Sequence, residues 1–249
     1  MPREVGEFLF ERVKGRLLDW VEPAPDQTVL DVGCGAGYFM NLVRGKYLEK
    51  SIIPFMAGIE MSTFQLSYMA RRMEKDGVSD VVGIKANAEH LPFPDKSFDL
   101  VTCSEVLEHI RNPQRALSEM RRVLKPSGVL LLSTPSMTAR NGWDKLLAPF
   151  VAVVKFLTHY QTDTAKAAVE AYDEPWYPKE LRKAFLGAQF EIVDFEYNAI
   201  VPRYYFKFLP SGLVRPALAV CRLMDGPLKF IFKPLAVHFV IRARPATTA

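Results

Sequence analysis

The chain has 249 residues, 49% of them apolar and 24% charged, which excludes wholesale disorder and collagen-like repeats and fits one large domain. Three cysteines, Cys34, Cys103 and Cys221, are too few and too scattered for a disulfide framework or a zinc cluster, and they point to a reducing compartment. The net charge of +4 divides unevenly: from Ala199 onward eight Lys and Arg face a single acid, Asp225, whereas the first 198 residues carry 24 basic and 27 acidic side chains.

Val5, Phe8, Leu9, Val13, Leu17 and Trp20 recur at three- and four-residue steps and predict a helix over 4–20, ended by Pro23 and Pro25. A short apolar run, Thr28 to Val32, predicts a strand that breaks into Gly33-Cys34-Gly35-Ala36-Gly37, after which a helical pattern starts at Tyr38. A second strand, Phe55 to Ile59, ends at Glu60, and Ser62 is placed to cap the next helix. Further strands are expected at Val81 to Ala86, Phe98 to Cys103 and Val129 to Ser133, with a helix from Gln114 to Leu124 stopping at Pro126 and Gly128. The rhythm then changes: 137–172 holds no clear strand, Pro178 to Leu186 reads as a helix, and Phe190 to Tyr197 and Ala236 to Arg242 read as the last two strands. Strands alternating with helices predict a mostly parallel sheet covered on both faces. No apolar run approaches the roughly 20 residues needed to span a bilayer, and the mixed charges of the first residues do not form a secretory leader, so a cytoplasmic location is expected.

In such a sheet ligands sit at the carboxyl ends of the strands, where glycine lets the backbone turn tightly and approach them. The spacing here is G-x-G-x-G, which is neither the dinucleotide fingerprint nor a phosphate loop. Glu60 stands where a carboxylate can accept two ribose hydroxyls. Asn87 and Ala88 follow the third strand, where an amide and a backbone N–H can meet an adenine edge.

These segments, VLDVGCGAGYF, the strand ending at Glu60, NAEHLPFPDKSFDLVTCSEVLEHI and RVLKPSGVLLLSTP, resemble the successive motifs of class I S-adenosylmethionine-dependent methyltransferases over about residues 28–135. The resemblance implies an α/β Rossmann-like fold, a mostly parallel seven-stranded sheet with helices on both faces and a helical lid. It implies one domain over 1–249, with its core at 22–135, 178–198 and 234–243 and lid insertions at 136–177 and 199–233. S-Adenosyl-L-methionine is the implied cofactor. Gly33, Cys34, Gly35 and Gly37 would border its methionine moiety, and Asp31 would fix that loop or meet the amino group. Glu60 would bind the ribose, Met61 and Ala88 would lie against the adenine, Asn87 would accept from the adenine amino group, and Ser104 would lie near the sulfonium. Cys34 and Cys103 otherwise read as small buried packers.

The Thr102 to Ile110 segment with its ExxEH pattern is similar to the quinone-biosynthesis O-methyltransferases, which implies O-methylation of a hydrophobic small molecule such as a phenol, a quinone precursor or a lipid-like molecule; C-methylation of a similar acceptor, then RNA methylation, then a non-catalytic cofactor-binding role are the alternatives. If 105–110 begins a helical turn, Glu105, Glu108 and His109 share one face. They could then hold a divalent ion, or His109 could act alone as a general base for a phenol that must lose its proton. Relatives commonly carry a His-x-x-x-Phe/Tyr segment before the helix at 178; this chain has Asp173-Glu174-Pro175-Trp176-Tyr177, leaving His159 and Tyr160 as substitutes, while His90 and His238 read as loop and packing residues. The basic, aromatic insertion 199–233 has three readings: a lid core, a membrane-surface segment, or a nucleic-acid contact. The last is disfavoured because no RNA-binding module accompanies it.

Overall fold

The computed structural model describes residues 3–138, 175–200, 206, 211–226, 229–232 and 235–247. Helix α1 spans Arg3–Asp19 and buries the stripe Phe8, Leu9, Val13 and Leu17, with Trp20 just beyond it. Full burial of a large apolar side chain contributes about 1.5–3 kcal/mol, so this helix is anchored by its apolar face. The strands are β1 (Thr28–Val32), β2 (Phe55–Glu60), β3 (Val81–Lys85), β4 (Phe98–Ser104), β5 (Leu124–Pro135), β6 (Phe190–Ile200) and β7 (Ala236–Pro245). They form one seven-stranded sheet in the order β3-β2-β1-β4-β5-β7-β6. The pairs among β1 to β5 are parallel, whereas β7 runs antiparallel to both β5 and β6. The expected fold is therefore formed.

Helices α2 (Tyr38–Leu48), α3 (Thr63–Lys75), α4 (Pro113–Val123), α5 (Pro178–Gly187), α6 (Ser211–Asp225) and the single turn α7 (Lys229–Phe232) cover it. One apolar layer joins α1, α2, α3 and α6 to the sheet, and a second joins α4 and α5 to the other face. Ser62 caps α3 by accepting from the backbone N–H of Gln65 at 3.3 Å, as its sequence position predicts.

Two boundaries differ from the sequence reading. No Gly or Pro gap separates α4 from β5: the chain passes directly from Val123 to Leu124, and the Pro126–Gly128 stretch lies within the strand, where the pairing with β4 shifts register. Strand β6 runs to Ile200, so the second insertion starts inside the sheet's reach and not at 199. Most of the first insertion, with His159 and Tyr160, lies outside the described residues.

Helix α6 is tied to α1 by a buried pair, Arg12 with Asp225, beside an exposed one, Arg222 with Glu11 at 3.6 Å. Arg12 Nε donates to Asp225 Oδ2 at 2.6 Å, and Arg12 Nη2 donates to the Asp225 carbonyl at 3.0 Å, with the carboxylate side chain only 1% exposed. Removing one partner of a buried pair costs about 3–5 kcal/mol because the other charge is stranded. Arg12 is partly solvated, so Arg12→Met is expected to lower stability by about 2–4 kcal/mol in urea unfolding. The double variant Arg12→Met with Asp225→Leu is expected to recover most of that loss.

Candidate active site

The sheet order places β1 between β2 and β4, and the connections from β1 and β4 leave on opposite faces, which opens a crevice at their carboxyl ends. The loop after β1 is tied to β2: the N–H groups of Gly33 and Cys34 both donate to the Ile59 carbonyl, at 2.8 and 2.9 Å. Gly33 has φ 71°, and a Cβ there would lie 2.4 Å from the Val106 side chain. Gly37 has φ 72°, and its Cβ would meet Met69 at 2.8 Å. Glycine is required at both on two counts, conformation and space.

Glu60 is held through both oxygens. Oε2 accepts from the Gly35 N–H at 3.1 Å and Oε1 from the Ser62 N–H at 2.8 Å, so the carboxylate is oriented while each oxygen retains accepting capacity. It borders a cavity of about 670 Å³ that also includes Gly33, Met61, Asn87, Ala88, Glu105 and His109. The loop carrying Asn87 and Ala88 is fastened to α4, where Arg122 donates to the carbonyls of Leu91 and Phe93 and pairs with Glu119 and Asp95. Asn87 Oδ1 already accepts from the Glu89 N–H at 2.9 Å, an Asx turn that shapes the loop.

A smaller recess of about 120 Å³ shares Gly33 with the first and is bordered by Lys14, Asp31, Cys34, Tyr38, Phe39 and Ser104. Asp31 is buried and accepts from Thr102 Oγ1 at 2.6 Å. Burial pushes its carboxyl up, and although Thr102 and Lys14 pull it down, it lies at about 6. Lys14 reaches in from α1, donates to Ser104 Oγ and sits over the Phe39 ring at 4.8 Å from its centroid. Burial lowers its ammonium pKa, against the opposing pull of Glu105 and Asp31. Burial also raises the thiols of Cys34 and Cys103, in keeping with packing roles. Cys34 Sγ fills the space beside Gly58, where a Cβ would lie 2.7 Å from it.

The segment after β4 departs from expectation. Only Leu107–His109 form a helical turn, of the tighter 3₁₀ kind, and Glu105 lies before it with φ 58°. Glu105, Glu108 and His109 therefore do not share a face. Glu108 is buried and accepts from Thr134 Oγ1 at 3.0 Å, His109 is exposed at the cavity rim, and Glu105 turns to His238, with Oε2 2.8 Å from Nε2. The shared metal face is not formed, because the left-handed residue at 105 breaks the helical spacing that the pattern presumes. Sequence reasoning missed Lys14, Thr102, Ser133 and His238. The basic residue in a predicted amphipathic helix and the hydroxyls at strand ends were the available signals, but only the topology brings them together.

The profile of the family described as "Methyltransferase domain" matches residues 24–195, and the chain belongs to this family, the S-adenosylmethionine-dependent methyltransferases. It is 28% identical over 194 residues to a ubiquinone biosynthesis O-methyltransferase of Paracidovorax citrulli, covering 75% of this chain and 74% of that protein. It is 31% identical over 134 residues to a ubiquinone/menaquinone biosynthesis C-methyltransferase of a Ruegeria species, covering 53% of this chain and 52% of that protein, so it spans about half the length of that relative. The fold matches the geranyl diphosphate C-methyltransferase of Streptomyces coelicolor, solved with Mg2+, geranyl diphosphate and S-adenosyl-L-homocysteine. The TM-score is 0.61 at 17% identity, covering 94% of this chain and 79% of that one.

Asp31 has a consequence for stability. A carboxyl raised to about 6 in the folded chain, above its ordinary 3.8, binds its proton more tightly when folded, so it destabilises the fold increasingly as pH rises from 4 to 6. Two pH units correspond to about 3 kcal/mol as an upper bound. Asp31→Asn, free of ligand, is therefore expected to raise stability above pH 6 by up to about 3 kcal/mol, with the gain vanishing below pH 4, as read by urea unfolding across pH.

Proposed function

We propose that this enzyme transfers the methyl group of S-adenosylmethionine to a hydroxyl of a hydrophobic small molecule, a phenolic, quinone-precursor or lipid-like acceptor. The observation that carries the cofactor assignment is the pair of recesses meeting at Gly33. One has the oriented Glu60 carboxylate with Met61, Asn87 and Ala88, and the other has Asp31, Lys14 and Ser104. This donor set fits the group. Glu60 accepts from the ribose hydroxyls. Asp31, ionised above pH 6, attracts the ammonium of the methionine moiety, and Lys14 attracts its carboxylate. When bound, the sulfonium supplies an activated methyl group and leaves as a neutral thioether. The chain's own task is then alignment, which can supply several kcal/mol of a displacement barrier.

Two observations support the acceptor class. The relatives named above act in quinone biosynthesis, one at oxygen and one at carbon. A phenol ionised for O-methylation also activates its ring carbons, so the C-methylation alternative uses the same site. The second observation is the outer face of α6 and α7. Val214, Leu218, Cys221 and Asp225 face inward, while Leu213, Val220 and Leu223 are exposed beside Arg215 and Arg222, and Phe230 is 91% exposed next to Ile231. Apolar side chains among arginines suit an anionic lipid surface that delivers such an acceptor. No described helix is long and apolar enough to cross a membrane.

Three measurements check this. Lys14→Met is expected to weaken S-adenosylhomocysteine binding about tenfold or more while leaving 5′-methylthioadenosine, which lacks the amino-acid carboxylate, unchanged in calorimetry. Equal losses for both ligands would remove Lys14 from the methionine site. With labelled S-adenosylmethionine, an alkyl-tailed catechol is expected to be methylated faster than catechol itself; failure of both would sink the acceptor class. Finally, vesicles containing phosphatidylglycerol should sediment the wild type, and Phe230→Glu with Ile231→Glu should abolish this. Equal binding to neutral vesicles would argue against the electrostatic part.

A further inference from the structure

The polar side chains on the α1 face of the sheet continue past Ser104. Ser133 Oγ on β5 lies 2.8 Å from Ser104 Oγ, and His238 on β7 stands in register with Pro135, two residues further along β5. Asn198 on β6 is in direct register with His238 on its other side. A row of polar residues thus crosses five strands at their site end: Asp31, Thr102 and Ser104, Ser133, His238 and Asn198. Both His238 and Asn198 are buried.

Within this row three buried atoms lack a hydrogen-bond partner among the described residues: Glu105 Oε1, His238 Nδ1 and Asn198 Oδ1. An unsatisfied buried polar atom costs about 1–3 kcal/mol, and Glu105 adds a left-handed backbone, φ 58°, that a non-glycine residue rarely adopts. A purely structural ion pair would account for the contact between Glu105 Oε2 and His238 Nε2, at 2.8 Å. It would account for neither the three bare atoms nor the strain. Burial pushes the Glu105 carboxyl up, but His238, a hydrogen bond from Ser133 and the Lys14 ammonium outweigh it and hold it below the ordinary carboxylate range. Among the described residues, Lys14 of α1 is the charged group besides His238 that acts on Glu105. Glu108 is turned to Thr134, and Asp225 of α6 is taken by Arg12.

We propose that His238 is the proton acceptor for the hydroxyl of the methyl acceptor and that Glu105 is its positioning residue. This rests on the hydroxyl-acceptor reading given above. With Nε2–H directed to the Glu105 carboxylate, the neutral ring carries its lone pair on Nδ1. His238 Nδ1 takes the hydroxyl proton as the oxygen's electron pair forms the bond to the methyl carbon, and the pair of the methyl–sulfur bond stays on sulfur. The products are the methyl ether, S-adenosylhomocysteine and an imidazolium, which Glu105 stabilises and which returns its proton to water on product release. Glu105 orients the ring, the same division of labour as in a carboxylate–imidazole dyad of a hydrolase. Base assistance of this kind contributes about 10²–10⁴ in rate.

The test uses the full chain saturated with S-adenosylhomocysteine, in two arms. In the first, isotope-labelled histidine is followed by NMR across pH, with the His238 signal assigned by its loss in His238→Asn. The expected result is a neutral ring protonated on Nε2, whose titration falls by about one pH unit or more in Glu105→Gln, since a carboxylate favours the charged imidazole. A ring protonated on Nδ1, or a titration that Glu105→Gln does not move, overturns the dyad. In the second arm, 4-nitrocatechol is bound below the pH at which the free dye ionises. The wild type is expected to hold it as the coloured phenolate and His238→Asn as the colourless phenol; equal ionisation in both overturns the proton transfer. If His238→Asn does not fold, Glu105→Gln decides, because the dye's ionisation must shift together with the ring's titration. If the wild type does not bind the dye at all, the phenolic-acceptor reading fails, while the first arm still decides the dyad.

Discussion

The two hydrogen bonds from Gly33 and Cys34 to the Ile59 carbonyl hold the site together. They fix the turn after β1 against the end of β2, and this brings the Gly35 N–H onto the Glu60 carboxylate, itself oriented by Ser62 at the start of α3. A β1–β2 register slip of one residue would turn the slipped strand's end residue, Asp31 or Glu60, to the opposite face of the sheet, because side chains alternate along a strand. The glycines follow from this constraint. A turn that must donate two bonds to one carbonyl while clearing Val106 and Met69 has space for no side chain at 33 or 37.

Beneath α1 the protein buries charge and hydroxyl groups close together: Lys14, Asp31, Glu105 and His238 with Thr102, Ser104 and Ser133. In a low-dielectric layer such groups are tolerated only when they compensate one another or await a charged ligand. Asp31 and Lys14 are imperfectly compensated, the first raised and the second lowered by burial. A zwitterionic methionine tail would neutralise both. The Glu105–His238 pair is compensated internally, which suits a group that must be oriented before the acceptor arrives.

Much of the cofactor side was legible in the sequence because it is local. A strand, a glycine turn, a strand-end acid and a capping serine follow one another within residues 28–62, and periodicity and turn chemistry suffice to read them. The proposed acceptor side was not legible, since it is assembled from residues far apart in sequence. Lys14 reaches Ser104 only because α1 crosses the end of the sheet, and His238 reaches Glu105 only because β7 inserts between β5 and β6. His238 looked like a packing residue because alternation shows that a strand position is buried without showing what lies opposite. The ExxEH pattern misled for a related reason: spacing implies a shared face only while the backbone stays helical, and Glu105 leaves that conformation. The charge asymmetry was real but incomplete. Asp225, the lone acid after 199, is turned inward to Arg12, so the outer surface of α6 is more basic than the residue count suggests.

The antiparallel strand β7 also governs how the enzyme comes into being. It is the last sheet strand in the chain, yet it is interior, flanked by β5, whose paired residues precede it by more than a hundred positions, and by β6. During synthesis the parallel half, with its glycine turn and Glu60, can pair from contacts already outside the ribosome, while β5 and β6 wait with exposed edges. Closing that gap is a long-range event, and such events fold slowly. A nascent chain can therefore complete the cofactor crevice first, whereas the proposed base arrives only with the strand that seals the sheet. Catalytic competence and completion of the fold are thus one event.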